Sequence, residues 1–287
     1  MLRFNLQNAN KITSFEKATC LGKAWSFNLY DLRPDIKSSF LSQTMGSNNI
    51  KASCEDFKQA PVWKRSDEKS YSVGIFEMGI SEEESFVGSK NCEGRDDFWN
   101  DPTYWVMRPQ VPGAKTFHYQ EQVGIEQGDV YYDKSCKGKI CFASPLVNIK
   151  KVWEKFVTKS GMKMFIVRDQ SYLNALMKKD IAAAREMLDE LEKIHFWFYE
   201  NMKSRNNTLI LVSSSNPREF EFPKEGKEWA EFEKSGNHII FRNSGLISPV
   251  FASGASSENF CGVYNENEIG PRVFWKPKRK KFDIFNF

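Results

Sequence analysis

At 287 residues the chain can form one large domain or two ordinary ones, and its 40% apolar and 14% aromatic content is ample for a buried core. A formal net charge of +4 over that length argues against nucleic acid or a membrane surface as an obligatory partner. No window approaches the roughly 18 apolar residues that a spanning helix requires, so a soluble chain is expected.

Met1 to Lys17 contains no apolar core of the kind a signal peptide carries. The sequence as written therefore predicts a cytoplasmic product, with a periplasmic or secreted one if it is a processed mature form. Ala24 to Leu29 and Tyr71 to Phe76 read as strands. Residues 78–146 are rich in turn signals, among them Glu93-Gly-Arg-Asp-Asp97, Arg108-Pro-Gln-Val-Pro-Gly113 and Gln127-Gly128. They predict an irregular insertion or cap within a single α/β domain over 1–287. A helical pattern then runs from Val147 through Val152, Trp153, Phe156 and Val157 to Gly161. Lys163 to Arg168 is a short apolar strand closed by Asp169.

Asp180 suits the N-cap of the strongest helix, Ile181 to about Arg205, whose Met187, Leu188, Leu191, Ile194, Phe198 and Met202 recur at helical spacing. Thr208 to Ser213 is a second near-continuous apolar strand. Helix, strand, helix, strand with short connections is βαβ logic and predicts a parallel sheet. Beyond it come a Ser/Asn/Pro loop, a short amphipathic helix near Glu225 to Lys234, a strand from His238 to Arg242, and a small-residue, turn-like stretch from Gly245 to Gly262. Residues 276–287 form a basic and aromatic tail.

Six cysteines, Cys20, Cys54, Cys92, Cys136, Cys141 and Cys261, suit disulfides, and Cys136 with Cys141 could close a small loop; free buried thiols are the alternative. No Cys or His spacing signals structural zinc. His118, His195 and His238 lie far apart in sequence, and His195, within the long helix, reads as a packed or surface residue. The informative polar residues stand at the carboxyl ends of the two clear strands, where open α/β sheets bind ligands: Asp169, then Ser213, Ser214, Ser215 and Asn216. Strand termination and turn capping account for the same residues. Lys276, Lys278, Arg279, Lys280 and Lys281 form a basic run between aromatic segments, suited to an acidic or anionic partner or to a solvated tail. Nucleic acid is not an expected partner.

The stretch from Phe165 to Phe274 resembles the C-terminal half of alkaline-phosphatase-superfamily domains, over roughly 110 of the 287 residues. The order is similar: an Asp-ended strand, a Tyr-containing turn, a long helix, and a Thr-Leu-Ile strand leading to the metal loop. Gly254 to Phe260 resembles the late Gly-x-His element. More loosely, Phe27-Asn-Leu-Tyr-Asp31 resembles the segment holding the first metal-binding Asp, and Ser70 to Gly74 the strand after the nucleophile helix. The resemblance implies a three-layer α/β/α sandwich with a mostly parallel sheet, in a shortened and degenerate version, and a nucleophile among Thr44, Ser47 and Ser53. It also implies that ligand positions are lost: Leu173, Ser215, Asn216 and Ser256 stand where the family has metal-binding His or Asp. Hydroxyls and an amide are weak substitutes around paired divalent cations. A non-catalytic scaffold without cofactor, binding a protein partner or an anionic ligand, is therefore expected. The alternative is a hydrolase of phosphate or sulfate esters with zinc or another divalent metal on Asp31, Asp169 and Glu258.

Overall fold

The computed structural model describes residues 12–51, 53–64, 71–87, 92, 97–137, 140–202, 204–215, 219–221, 223, 225–236, 238, 240–242 and 246–276. Its strands, in chain order, are β1 (Cys20–Trp25), β2 (Tyr71–Met78), β3 (Pro102–Met107), β4 (Lys115–Phe117), β5 (Val130–Asp133), β6 (Cys136–Lys137), β7 (Ile140–Cys141), β8 (Met162–Asp169), β9 (Leu209–Val212), β10 (Glu219–Glu221), β11 (Ile240–Arg242), β12 (Ile247–Gly254) and β13 (Gly262–Asn265). The helices are α1 (Ile36–Met45), α2 (Asp97–Asn100), α3 (Pro145–Phe156), α4 (Ser171–Met177), α5 (Ile181–Met202), α6 (Gly226–Ser235) and α7 (Ile269–Arg272).

Five strands form a wholly parallel sheet in the order β4-β5-β3-β2-β8. Period-two alternation sends successive side chains to opposite faces. Val73, Ile75, Tyr104, Met164 and Ile166 pack on one face with Phe40, Leu41 and Met45 of α1. Phe76, Met78, Trp105, Phe165 and Val167 pack on the other with Ile149, Val152 and Phe156 of α3 and Ile194 of α5. Helices thus cover both faces, which is the expected α/β/α layering. At the centre of β2, a Cβ on Gly74 would lie 2.9 Å from the Trp105 ring and 3.0 Å from the rings of Phe156 and Phe165, so the aromatic layer leaves room only for hydrogen.

A second, four-stranded sheet runs β13-β1-β12-β9. Here β13 is parallel to β1, whereas β12 is antiparallel to both β1 and β9. Four expectations need correction. Residues 78–146 are no irregular cap, since they supply β3, β4 and β5 to the parallel sheet. The two apolar strands near residues 163–168 and 208–213 do not belong to one sheet, because β9 pairs with β12 and β8 pairs with β2. The stretch 245–262, read as turn-like, contains the eight-residue strand β12. The first strand is also shifted, spanning Cys20–Trp25 where the sequence placed it at Ala24 to Leu29.

The cysteines pair as Cys20–Cys261, Cys54–Cys92 and Cys136–Cys141. The first ties the start of β1 to the residue preceding β13. The third closes the β6–β7 hairpin.

Helix α1 begins at Asp35, whose carboxylate accepts from the Ser38 amide at 2.6 Å, and ends at Gly46 in the left-handed conformation with φ 66°. Beneath it lies a buried charge pair. Glu77 of β2 and Arg168 of β8 are register partners. The Glu77 carboxylate accepts from the Arg168 guanidinium, from the Ser85 hydroxyl, and from the Phe86 amide at 3.0 Å. The guanidinium lies 4.2 Å from the Phe40 ring centroid. Arg168→Met is expected to cost about 3–5 kcal/mol, because it strands a buried carboxylate. Adding Glu77→Leu should recover most of that loss, and chemical denaturation of the two single variants and the double variant would measure the coupling.

Candidate functional site

The carboxyl ends of β1, β2, β8, β9 and β13 converge on helix α1. Arg168 and Glu77, each one residue before the end of its strand, lie against its Phe40 side. Lys37, in the first turn, is half-buried; burial pushes its ammonium pKa down, Asp35 opposes that shift, and Arg168 adds to it. Asp169 ends β8 half-buried, its carboxylate accepting from the Ser171 amide at 2.9 Å at the start of α4. Burial raises its pKa and the hydrogen bonds to Ser171 and Tyr172 hold it down.

On the other side of α1 the polar groups meet at Glu266, which directly follows β13 and is 1% exposed. One of its carboxylate oxygens accepts from the Ser26 hydroxyl at 2.7 Å and the Ser39 hydroxyl at 2.5 Å. Gln43 hydrogen-bonds the same carboxylate and accepts from the Ser213 hydroxyl at 2.9 Å, and its amide donates to the Ser214 carbonyl at 3.1 Å. Among the described residues the second oxygen, Oε1, has no hydrogen-bond partner, and neither does the helix residue Ser42 at its Oγ. Burial raises the Glu266 pKa, with the three side-chain hydrogen bonds acting the other way. The serines that end β9 thus belong to a closed network under the strand edge.

No protein-family model matches the sequence, and a comparison with curated proteins finds no relative. Comparison of the structure does find likeness. The chain is similar to the alkaline phosphatase of the Antarctic bacterium TAB5, with TM-score 0.66 and 12% identity over 95% of this chain and 92% of that one. It is also similar to the cold-active alkaline phosphatase of the psychrophile Shewanella sp., with TM-score 0.71 and 10% identity over 95% and 94%. The lipoteichoic acid synthase LtaP of Listeria monocytogenes gives TM-score 0.50 and 12% identity over 91% and 64%. The fold is alkaline-phosphatase-like. At such identities the likeness is one of architecture alone.

Against that architecture the expected site residues separate. Thr44 lies buried inside α1 and donates its hydroxyl to the Phe40 carbonyl at 2.9 Å. Ser47 accepts from the Asn49 amide, and Ser53 opens the 3₁₀ turn Cys54–Lys58, its amide bonded to Asp56. All three serve local structure. Asp31 is exposed and turns its own loop by accepting from the Arg33 amide at 2.8 Å. Leu173 sits half-buried in α4, one turn past Asp169, and Ser215 follows the β9 edge; Asn216 lies outside the described residues.

Ser256 and Glu258 are elsewhere altogether. They precede Cys261, which is bonded to Cys20 at the start of β1, and the Ala255 amide donates to Thr208, ahead of β9. That is the opposite edge of the sheet from Asp31, so Asp31, Asp169 and Glu258 cannot share one ion. Among the described residues, the one cluster spaced to hold a metal is Asp133 with Cys136 and Cys141, and both sulfurs are committed to a disulfide. The described donors at the strand edge do not fit a two-metal centre: Glu77 and Glu266 are engaged internally, leaving Asp169 as the half-buried carboxylate of the edge.

Sequence reasoning missed Glu77, Arg168 and Glu266. A charged residue inside the apolar run Val73–Met78 was a usable signal for Glu77. Glu266, between Asn265 and Asn267, gave none. His195, read as packed or surface, is packed: its ring stacks on Phe15 with centroids 4.4 Å apart, and Nδ1 lies 2.6 Å from the Ser14 hydroxyl. Burial depresses its pKa to about 4.

The raised pKa of Glu266 sets a pH dependence. Its neutral form suits the fold, so its contribution is full below the unfolded value of about 4.3 and is lost as pH rises through the higher folded value. Glu266→Gln has no such loss. Thermal melts from pH 4 to pH 8 should show the stability of the Gln variant, relative to the parent, rising with pH.

Proposed function

We propose that this chain is an alkaline-phosphatase-like scaffold that binds a partner and does not carry out metal-dependent ester hydrolysis. What carries the reading is the chemistry of the strand edge. Leu173 and Ser215 stand where the resemblance implies ligands, the Ser26 and Ser39 hydroxyls are engaged in holding Glu266, and the Ser213 hydroxyl is bonded to Gln43. A divalent centre needs several carboxylates or imidazoles around concentrated positive charge. Here Asp169 accepts from the Ser171 amide, while Glu77 is paired with the Arg168 guanidinium and Glu266 is held by hydroxyls, so a cluster of carboxylates open to a cation is not assembled among the described residues.

The partner is a protein or an anionic ligand, with Lys276 and the outlying Lys278, Arg279, Lys280 and Lys281 as the basic contact; Lys276 is exposed, and residues 277–287 lie outside the described residues. No helix among the described residues is long and apolar enough to cross a membrane. Three disulfides favour an oxidising compartment, so of the two locations the periplasmic or secreted one is adopted.

A second reading, a phosphate- or sulfate-ester hydrolase with zinc or another divalent metal in a rearranged site, is favoured by the fold likeness over 95% of the chain and by the half-buried Asp169 carboxylate. Elemental analysis of purified protein for zinc, magnesium, manganese and calcium, beside turnover of a generic phosphate ester, separates the two. The expected result is substoichiometric metal and no metal-stimulated turnover. About two metals per chain, with turnover abolished by Asp169→Asn in a folded protein, would replace the scaffold reading with the hydrolase.

A further inference from the structure

The β6–β7 hairpin gathers a further set of polar groups at the end of β5, outside the strand edge that meets α1. Asp133 closes β5, Cys136 opens β6, and Cys141 closes β7 opposite Cys136 in register. A carboxylate oxygen of Asp133 and the two sulfurs lie within 4.8 Å of one another. Atoms so placed fit around one small cation, whose bonds to carboxylate oxygen and thiolate sulfur run roughly 2.0–2.3 Å. In the oxidised chain the sulfurs are joined to each other, and a cation is offered the carboxylate alone.

A second, independent observation points the same way. Asp133 is 0% exposed, and its donors are neutral: the Ser135 amide at 2.8 Å and the Asn148 side-chain amide at 2.7 Å. Among the described residues no cation pairs with it, and the neighbouring Lys134 reaches to Glu121 instead. Asn148, in the first turn of α3, is also 0% exposed. The oxygen of its amide group has no hydrogen-bond partner among the described residues. A buried carboxylate beside a buried amide oxygen is costly without positive charge or a donor close by. Glu77 has Arg168 in that role.

We propose that, once the Cys136–Cys141 bond is reduced, Asp133, Cys136 and Cys141 bind one divalent cation of the zinc type, with a water held by Asn148 Oδ1 completing a tetrahedral shell. Two thiolates and a carboxylate select such a borderline-soft ion over magnesium or calcium, which take oxygen ligands. A dithiol supplies the two electrons and two protons that open the S–S bond, and leaves as a disulfide. Each cysteine thiol then releases its proton to solvent as its bond to the metal forms. Cys141 is half-buried and the adjoining Phe142 is 81% exposed, so reductant and metal reach the hairpin from solvent. Disulfide and metal are thus alternative closures of one hairpin. This assignment is independent of whether the strand edge at α1 binds or hydrolyses a ligand.

The test uses the full chain and cobalt(II), whose bonds to thiolate give a charge-transfer absorption that oxygen ligands do not. The reductant is a phosphine, which brings no competing thiolate. Cys20, Cys54, Cys92 and Cys261 are kept in every variant, so thiols from the other bridges are a shared background. About one cobalt per chain with this absorption is expected in the reduced parent, and none in the oxidised parent or in reduced Cys136→Ser/Cys141→Ser. Zinc should displace the cobalt, and Asp133→Asn should weaken zinc binding at least about tenfold. Circular dichroism verifies the fold of each reduced protein. Three results would overturn the proposal: no thiolate absorption in the reduced parent, the same absorption in Cys136→Ser/Cys141→Ser, or unchanged zinc affinity in a folded Asp133→Asn. A reduced parent that loses its fold and is not restored by zinc would overturn it as well. Should Asp133→Asn fail to fold, the comparison with Cys136→Ser/Cys141→Ser decides alone.

Discussion

Helix α1 is the element on which the rest of the molecule depends. Every residue from Ser38 to Met45 is buried, so the helix has no solvent face along most of its length. One side carries Phe40, Leu41 and Met45 to the parallel sheet, and another carries Ser39 and Gln43 to the carboxylate that follows β13. The two sheets exchange no ladder hydrogen bonds among the described residues, and α1 is packed against both. A helix buried on all sides must satisfy its polar side chains internally. Ser39 and Gln43 do so by bonding Glu266 and Thr44 by bonding its own helix, whereas the Ser42 hydroxyl has no hydrogen-bond partner among the described residues.

Two carboxylates flank that helix and meet their desolvation in different ways. Glu77 keeps a guanidinium partner, and the flat face of that guanidinium rests on Phe40, so charge and packing are solved by one residue. The donors to Glu266 among the described residues are neutral, and burial favours its protonated form. The ends of β2 and β8 therefore hold a compensated ion pair, and the end of β13 holds a group best accommodated without charge.

The sequence made the local elements legible and the neighbours less so. The spacing of Leu188, Leu191, Ile194 and Phe198 announced α5, and the apolar run ending at Asp169 announced β8, because each signal is carried within one segment. An equally apolar run at residues 208–213 looked like its sheet partner, yet β9 pairs with β12; apolar content reports burial and says nothing of which strand lies alongside. Strand β12 itself was hidden by Pro249, Ser248 and Ser253. Proline is tolerated there because β9 reaches only Phe251 to Gly254, so at Pro249 the strand has β1 alone as neighbour. Strand β3 was masked in the same way by Pro102, which occupies its first position.

The candidate site shows the same division. Asp169 and the serines after β9 were readable as strand-end residues, because ligand edges in open α/β sheets are a property of topology. Glu266 was not, because its role comes from three segments far apart in sequence, Ser26, Ser39 and Gln43, closing on one carboxylate. Ser256 and Glu258 erred for the converse reason: similarity of a short motif carried no information about strand direction, and the antiparallel β12 delivers them to the wrong edge. Architecture and local network are thus separate properties of the chain: the first lies in strand order, and the second in hydroxyls and an amide gathered on Glu266 around a helix packed against both sheets.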